Sequence, residues 1–170
     1  MTKPIVPFSV LALVFAWAAL AAAFVPMPAR AGQDRVPPVA NAAYKKECGD
    51  CHMAFPPQFL SGPSWRAIMG GLADHFGETA TLPEAAHKEI LDYLLAHAGG
   101  GRRVEGAPPA TSLVPRITEL AWWKKEHAPR KIADAVWARK GIGAKANCAA
   151  CHPAAEKGDY DEHAVRIPPQ

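Results

Sequence analysis

A mainly α fold of short helices and long loops is the class that three features of the sequence predict. Apolar residues recur at helical spacing in three segments, 65–76, 90–97 and 120–127. No alternating Val- or Ile-rich run announces a strand. All four cysteines fall in two short motifs, "ECGDCHMA" at 47–54 and "NCAACHPA" at 147–154, each reading Cys-x-x-Cys-His.

The sequence opens with Met1-Thr2-Lys3 and an uncharged apolar run from Val10 to Val25, followed by Ala29-Arg30-Ala31. A positive start, a short apolar segment and an Ala-x-Ala exit are the parts of a secretory signal peptide. The run is shorter than the ~20 residues of a membrane span. Residues 1–31 are therefore expected to be cleaved after Ala31, and the mature protein to lie in the periplasm with no stable membrane insertion. The formal charge then falls from +3 to +1, because Lys3 and Arg30 leave and no acidic residue does. No strongly basic face is implied, so nucleic acid is not an expected partner. The remaining 139 residues are rich in alanine and offer only a thin core of their own.

Three chemistries use a Cys-x-x-Cys pair. A thioredoxin-like redox pair needs a βαβ context, which is not present in the sequence. A Cys₄ zinc site usually separates its pairs by about 15–20 residues, whereas 96 lie between Cys51 and Cys148. Zinc also gives no reason for a histidine directly after each second cysteine. Covalent haem attachment accounts for every part of the pattern. Two thiols form thioethers with the vinyl groups of one haem, and the next residue supplies the proximal imidazole. Cys48 and Cys51 would then hold one haem c and Cys148 and Cys151 the other, with His52 and His152 as iron ligands. The fold expected is a small c-type cytochrome wrapped around two covalently bound haems. Their flat apolar surfaces supply the missing core at roughly 25 cal/mol per Å² buried, so haem-free polypeptide is not expected to fold stably.

The sixth ligand decides what each iron does. Methionine is nearly eliminated by position: Met1 and Met27 leave with the leader, Met53 adjoins His52, and only Met69 remains. Five histidines lie outside the motifs. In "SWRAIMGGLADHFG", Trp65, Ile68, Met69, Leu72, His75 and Phe76 share a helical face, with Gly77 as the expected C-cap. His75 is the choice for the first haem. A second helix is expected to start at Thr81, Pro83 and Glu84 with a capping-box pattern. Its stripe of Ile90, Leu91, Leu94 and Leu95 makes His97 a reserve ligand and leaves His87 facing solvent.

Residues 99–112, "GGGRRVEGAPPATS", read as a loop joining two halves at about 40–98 and 113–168. In "ITELAWWKKEHAP", Leu120, Trp123 and His127 share a face and Pro129 closes the segment. His127 is the choice for the second haem, with the tryptophans as its apolar walls. "RKIADAVWARKG" offers a third short helix carrying Ile132, Val136 and Trp137. His163 lies 11 residues beyond His152 in a polar tail and is the runner-up.

On the segments "ECGDCHMAFPP", "SWRAIMGGLADHFGE", "ITELAWWKKEHA" and "VWARKGIGAKANCAACHPAAEKGDYDEHAVRIP", spanning about 43–168, the sequence resembles the periplasmic dihaem cytochrome c family. The resemblance implies two bis-histidine haems with His75 and His127 as distal ligands. It also implies electron flow between a membrane b-type cytochrome and a soluble c-type haem protein. An electron carrier is the reading this supports. The competing class is a dihaem oxidoreductase, peroxidase-like or thiosulfate-oxidising, which requires one open iron. A sensor or structural module has little support without an output domain.

Overall fold

A computed structural model of the protein describes residues 34–100 and 116–170. The leader at 1–31 and most of the expected connecting loop lie outside the described residues.

Five short helices organise the described residues. They are α1 (Ala42–Gly49), α2 (Gly62–Gly70), α3 (Glu84–Ala96), α4 (Ala121–Glu126) and α5 (Asp134–Trp137). Single 3₁₀ turns punctuate them, among them Pro57–Phe59, Leu72–Asp74, Ile117–Glu119 and Cys148–Ala150. Two isolated bridges, Arg35 with Asp159 and His75 with Glu78, are the extended pairings among the described residues. The expected mainly α class is the one observed.

Local chemistry starts each helix. Asn41 caps α1: its Oδ1 accepts from the Tyr44 N–H at 2.6 Å, and its Nδ2 donates to Glu89 on α3 at 2.9 Å. Ser61 caps α2 by accepting from the Ser64 N–H at 3.3 Å, with Pro63 in the first turn. For α3 the capping-box expectation fails. Pro83 occupies the N-cap position and the first turn receives no side-chain hydrogen bond. Its locked φ of −55° sets the helix entry without a hydroxyl.

The helix expected to run from Trp65 to His75 also ends early. Gly70 and Gly71 stop α2, since consecutive glycines lower the helix propensity where the turn must close. A 3₁₀ turn follows as far as Asp74, and the backbone then bends at His75.

α1, α2 and α3 enclose the main core, in which Leu60, Ile90 and Leu94 are fully buried. Tyr44, Trp65, Ile68, Met69 and Leu72 complete it, and Leu120 reaches in from the segment before α4. The buried polar tips are satisfied: the Trp65 indole N–H donates to Pro57 O at 2.8 Å and the Tyr44 hydroxyl to Phe55 O at 2.9 Å. A second cluster is far smaller, with Val136, Ile142 and Cys151 as its buried members. Such a cluster is too small to order its surroundings alone, in keeping with a large apolar cofactor beside it.

The N-terminal segment ties to the C-terminal one. Val36 N–H donates to Gly158 O at 2.9 Å, Tyr160 N–H to Asp34 O at 2.8 Å, and Arg35 pairs with Asp159 at 2.8 Å. The described residues all belong to one unit, Gly32–Gln170.

Candidate functional site

Cys48 lies in the last turn of α1, and the backbone then turns through Asp50 to Cys51 and His52. The second motif forms its own 3₁₀ turn. There Cys148 O accepts from the Cys151 N–H at 3.2 Å and the His152 N–H at 2.8 Å. Residues three apart lie on one side of either kind of turn, so each cysteine pair presents its thiols together.

All four cysteines are free of disulfides. Burial pushes the Cys48 and Cys148 thiols up to about 11. A protonated, apolar setting suits a thioether and opposes a bare thiolate. Among the described residues no three of His, Cys, Asp or Glu converge on a point where they could hold a metal ion.

The histidines pair across the fold. His52 faces His75 with ring centres 6.2 Å apart, and His152 faces His127 at the same 6.2 Å. Two imidazoles on opposite sides of one metal, each bonded at about 2 Å, place their ring centres roughly 6 Å apart. Both gaps therefore fit a six-coordinate iron between the rings.

Hydrogen bonding sets which nitrogen is available. His52 Nδ1–H donates to Met53 O at 2.7 Å and His127 Nδ1–H to Trp123 O at 2.9 Å. Each bond leaves the Nε2 lone pair free, the arrangement of a metal-ligating imidazole. His75 Nδ1 is buried with no hydrogen-bond partner. An orphaned ring nitrogen of that kind is costly in a protein that offers it nothing else.

Burial also disfavours the charged form of three of the four rings. Desolvation is the main reason that His75, His127 and His152 all fall below the usual histidine range. The neighbouring His52 and Arg116 add to the effect at His75, and His127 adds to it at His152. Only the neutral form can donate to a metal.

The other histidines have different roles. His87, expected to face solvent, is half-buried, and its Nε2–H donates to Met69 O at 3.0 Å. The early end of α2 leaves that carbonyl unpaired and α3 brings the imidazole to it. His97 does not continue the apolar stripe: it is exposed at the C-cap of α3, with Nδ1–H donating to Tyr93 O at 2.8 Å. His163 is exposed in the last 3₁₀ turn. Met69 is a core residue, 4% exposed.

The tryptophan wall expected at His127 is present, with Trp123 stacked on the ring, but the aromatic neighbours of the two motif histidines were not anticipated. His52 stacks on Phe55 at 4.7 Å, three residues on, and His152 lies 5.5 Å from Tyr160. The Phe55 contact has a signal in its short spacing, whereas Tyr160 has none.

A family model, dihaem cytochrome c, matches residues 44–160. Among solved structures, a diheme cytochrome c from Rhodobacter sphaeroides is 38% identical, with a TM-score of 0.64, covering 74% of this chain and 100% of that one. A diheme cytochrome c from Shewanella baltica is 36% identical, with a TM-score of 0.63, covering 75% of this chain and 93% of that one. No curated protein matches. With the two Cys-x-x-Cys-His turns, the paired histidines and this extent of identity, the protein belongs to the dihaem cytochrome c family, electron-transfer proteins with two covalently bound haem c groups.

Proposed function

We propose that the protein is an exported, periplasmic one-electron carrier in which both irons are closed by two histidines. The observation that carries this reading is the matched pairing of each motif histidine with a second imidazole at 6.2 Å. Cys48 and Cys51 attach the first haem, with His52 as proximal and His75 as distal ligand. Cys148 and Cys151 attach the second, with His152 and His127 in the same roles. Each haem supplies a reversible one-electron couple.

The protein's own residues hold the ligand set constant as the charge changes. The Met53 and Trp123 carbonyls fix the rings of His52 and His127. Phe55 and Trp123 stack on those rings and restrict their rotation. A site closed on both faces leaves no position for a substrate, so the protein acts as a carrier and not as an enzyme. The leader-like residues 1–31 support export, and no described helix is long and apolar enough to cross a membrane. The family resemblance supports a membrane b-type cytochrome and a soluble c-type haem protein as partners.

The ligand assignment is tested by substitution. His75→Ala and His127→Ala should each convert one haem of the two to high spin, read as loss of about half the low-spin absorbance. A variant that stays entirely low spin would reject the assignment of that histidine.

A further inference from the structure

The two histidine pairs share a spacing but not an orientation. The rings of His52 and His75 are inclined by 28°, close to parallel, whereas those of His127 and His152 are inclined by 70°, close to crossed. The supports of the rings differ in the same way. His52 is held by the Met53 carbonyl and stacks on Phe55 at an interplanar angle of 19°. His75 meets Phe76 at 56° and has no hydrogen bond at Nδ1. His127 lies flat on the Trp123 indole, with ring centres 4.2 Å apart and planes 11° from parallel. Trp137 stands 6.1 Å from the same imidazole and 5.7 Å from Trp123.

We propose that Trp123 is a positioning residue: by stacking on His127 it holds that ring crossed to His152, which makes the two haem irons electronically unequal. This rests on the bis-histidine reading above. An imidazole donates π density into the metal d orbital perpendicular to its own ring plane. Two nearly parallel rings act on the same orbital and split the two dπ levels widely. Two crossed rings act on one level each and leave them nearly degenerate. The unpaired electron of the oxidised first site is therefore confined to one orbital, and that of the second is shared between two.

Trp123 is 6% exposed, so a plain packing role is the alternative. Packing alone would be met by another apolar side chain, but the flat stack would not. The carbonyl that bonds His127 Nδ1 also belongs to Trp123. Replacing the indole removes the stack and leaves that bond, which separates the two constraints on the ring.

Low-temperature EPR of the oxidised holoprotein tests the proposal. The unaltered protein should give two low-spin ferric signals of equal integrated intensity. One should be rhombic, and the other strongly anisotropic with its largest g-value at distinctly lower field. Trp123→Leu should move the anisotropic signal towards the rhombic envelope and leave the other unchanged, while Trp123→Phe, which keeps an aromatic face, should restore it. His75→Ala should abolish the rhombic signal and spare the anisotropic one, assigning it to the second site without touching Trp123. If Trp123→Leu yields no holoprotein, the unaltered protein, His75→Ala and Trp123→Phe decide the matter. Two rhombic signals in the unaltered protein would overturn the proposal. So would an anisotropic signal that survives unmoved in folded Trp123→Leu, or one that vanishes in His75→Ala or Trp123→Phe. Failure of the bis-histidine reading looks different, as a high-spin ferric signal in the unaltered protein.

Discussion

Gly158 adopts a φ of +77°, and a Cβ placed on it would overlap the Val36 carbonyl oxygen. The same glycine's carbonyl accepts from the Val36 N–H at 2.9 Å, so backbone touches backbone on both sides. Gly158→Ala should therefore lower stability by at least about 2 kcal/mol, combining left-handed strain with the overlap. A fall in the guanidinium midpoint of the holoprotein measures it, and an unchanged midpoint would reject the close approach. Phe76 is the one described non-glycine residue at positive φ, 59°, directly after His75, with the Arg116 guanidinium 4.1 Å above its ring. Backbone strain of this kind is found beside functional residues, here next to a candidate iron ligand. At this scale the two cysteine motifs were legible from their fixed spacing, and His75 and His127, chosen for their apolar neighbours, are the histidines that lie 6.2 Å from His52 and His152. His87 was not, because its partner is a carbonyl freed by the end of a different helix.

The α2–α3 pair carries the His75 turn, whose ends are tied by the Ala80 N–H donating to Leu72 O at 2.8 Å and the His75 N–H to Glu78 O at 2.6 Å. His87 reaches from α3 to the last carbonyls of α2, and its imidazole caps that helix end. Leu94 is fully buried beneath this pair. Leu94→Ala should cost about 2–5 kcal/mol, the range for emptying a core leucine site. Chemical denaturation measures the loss, and the absorption spectrum should show both haems still low spin. A spin change on that substitution would mean that the core places His75 more directly than the turn does. Periodicity made the apolar faces of α2, α3 and α4 legible, but not the helix ends. Gly77 was expected as the C-cap of the first of these, yet Gly71 takes that place six residues earlier. The capping-box pattern at Thr81 and Glu84 was overridden by the preset φ of Pro83. Both misses lie where two local signals competed and the backbone preference of glycine or proline prevailed.

The two motif-bearing segments interlock in the whole molecule. Leu120 enters the core of the first, and Phe59 sits 5.4 Å from Trp122 and 5.0 Å from Tyr160. Tyr160 in turn flanks His152, so an aromatic run leads from the main core to the second site. None of these contacts between distant segments was legible, because single aromatics far apart in sequence carry no spacing signal. The number of haem groups was legible for the opposite reason, since Cys-x-x-Cys-His is a local motif whose chemistry is fixed by adjacency. In the proposed function two histidines close each iron. Carbon monoxide added to the fully reduced holoprotein tests it most directly, because the gas binds ferrous haem only where a position is open. Two closed irons predict a Soret band unchanged by carbon monoxide at either haem. A Soret shift corresponding to one carbon monoxide per protein would contradict the claim, revealing one open iron.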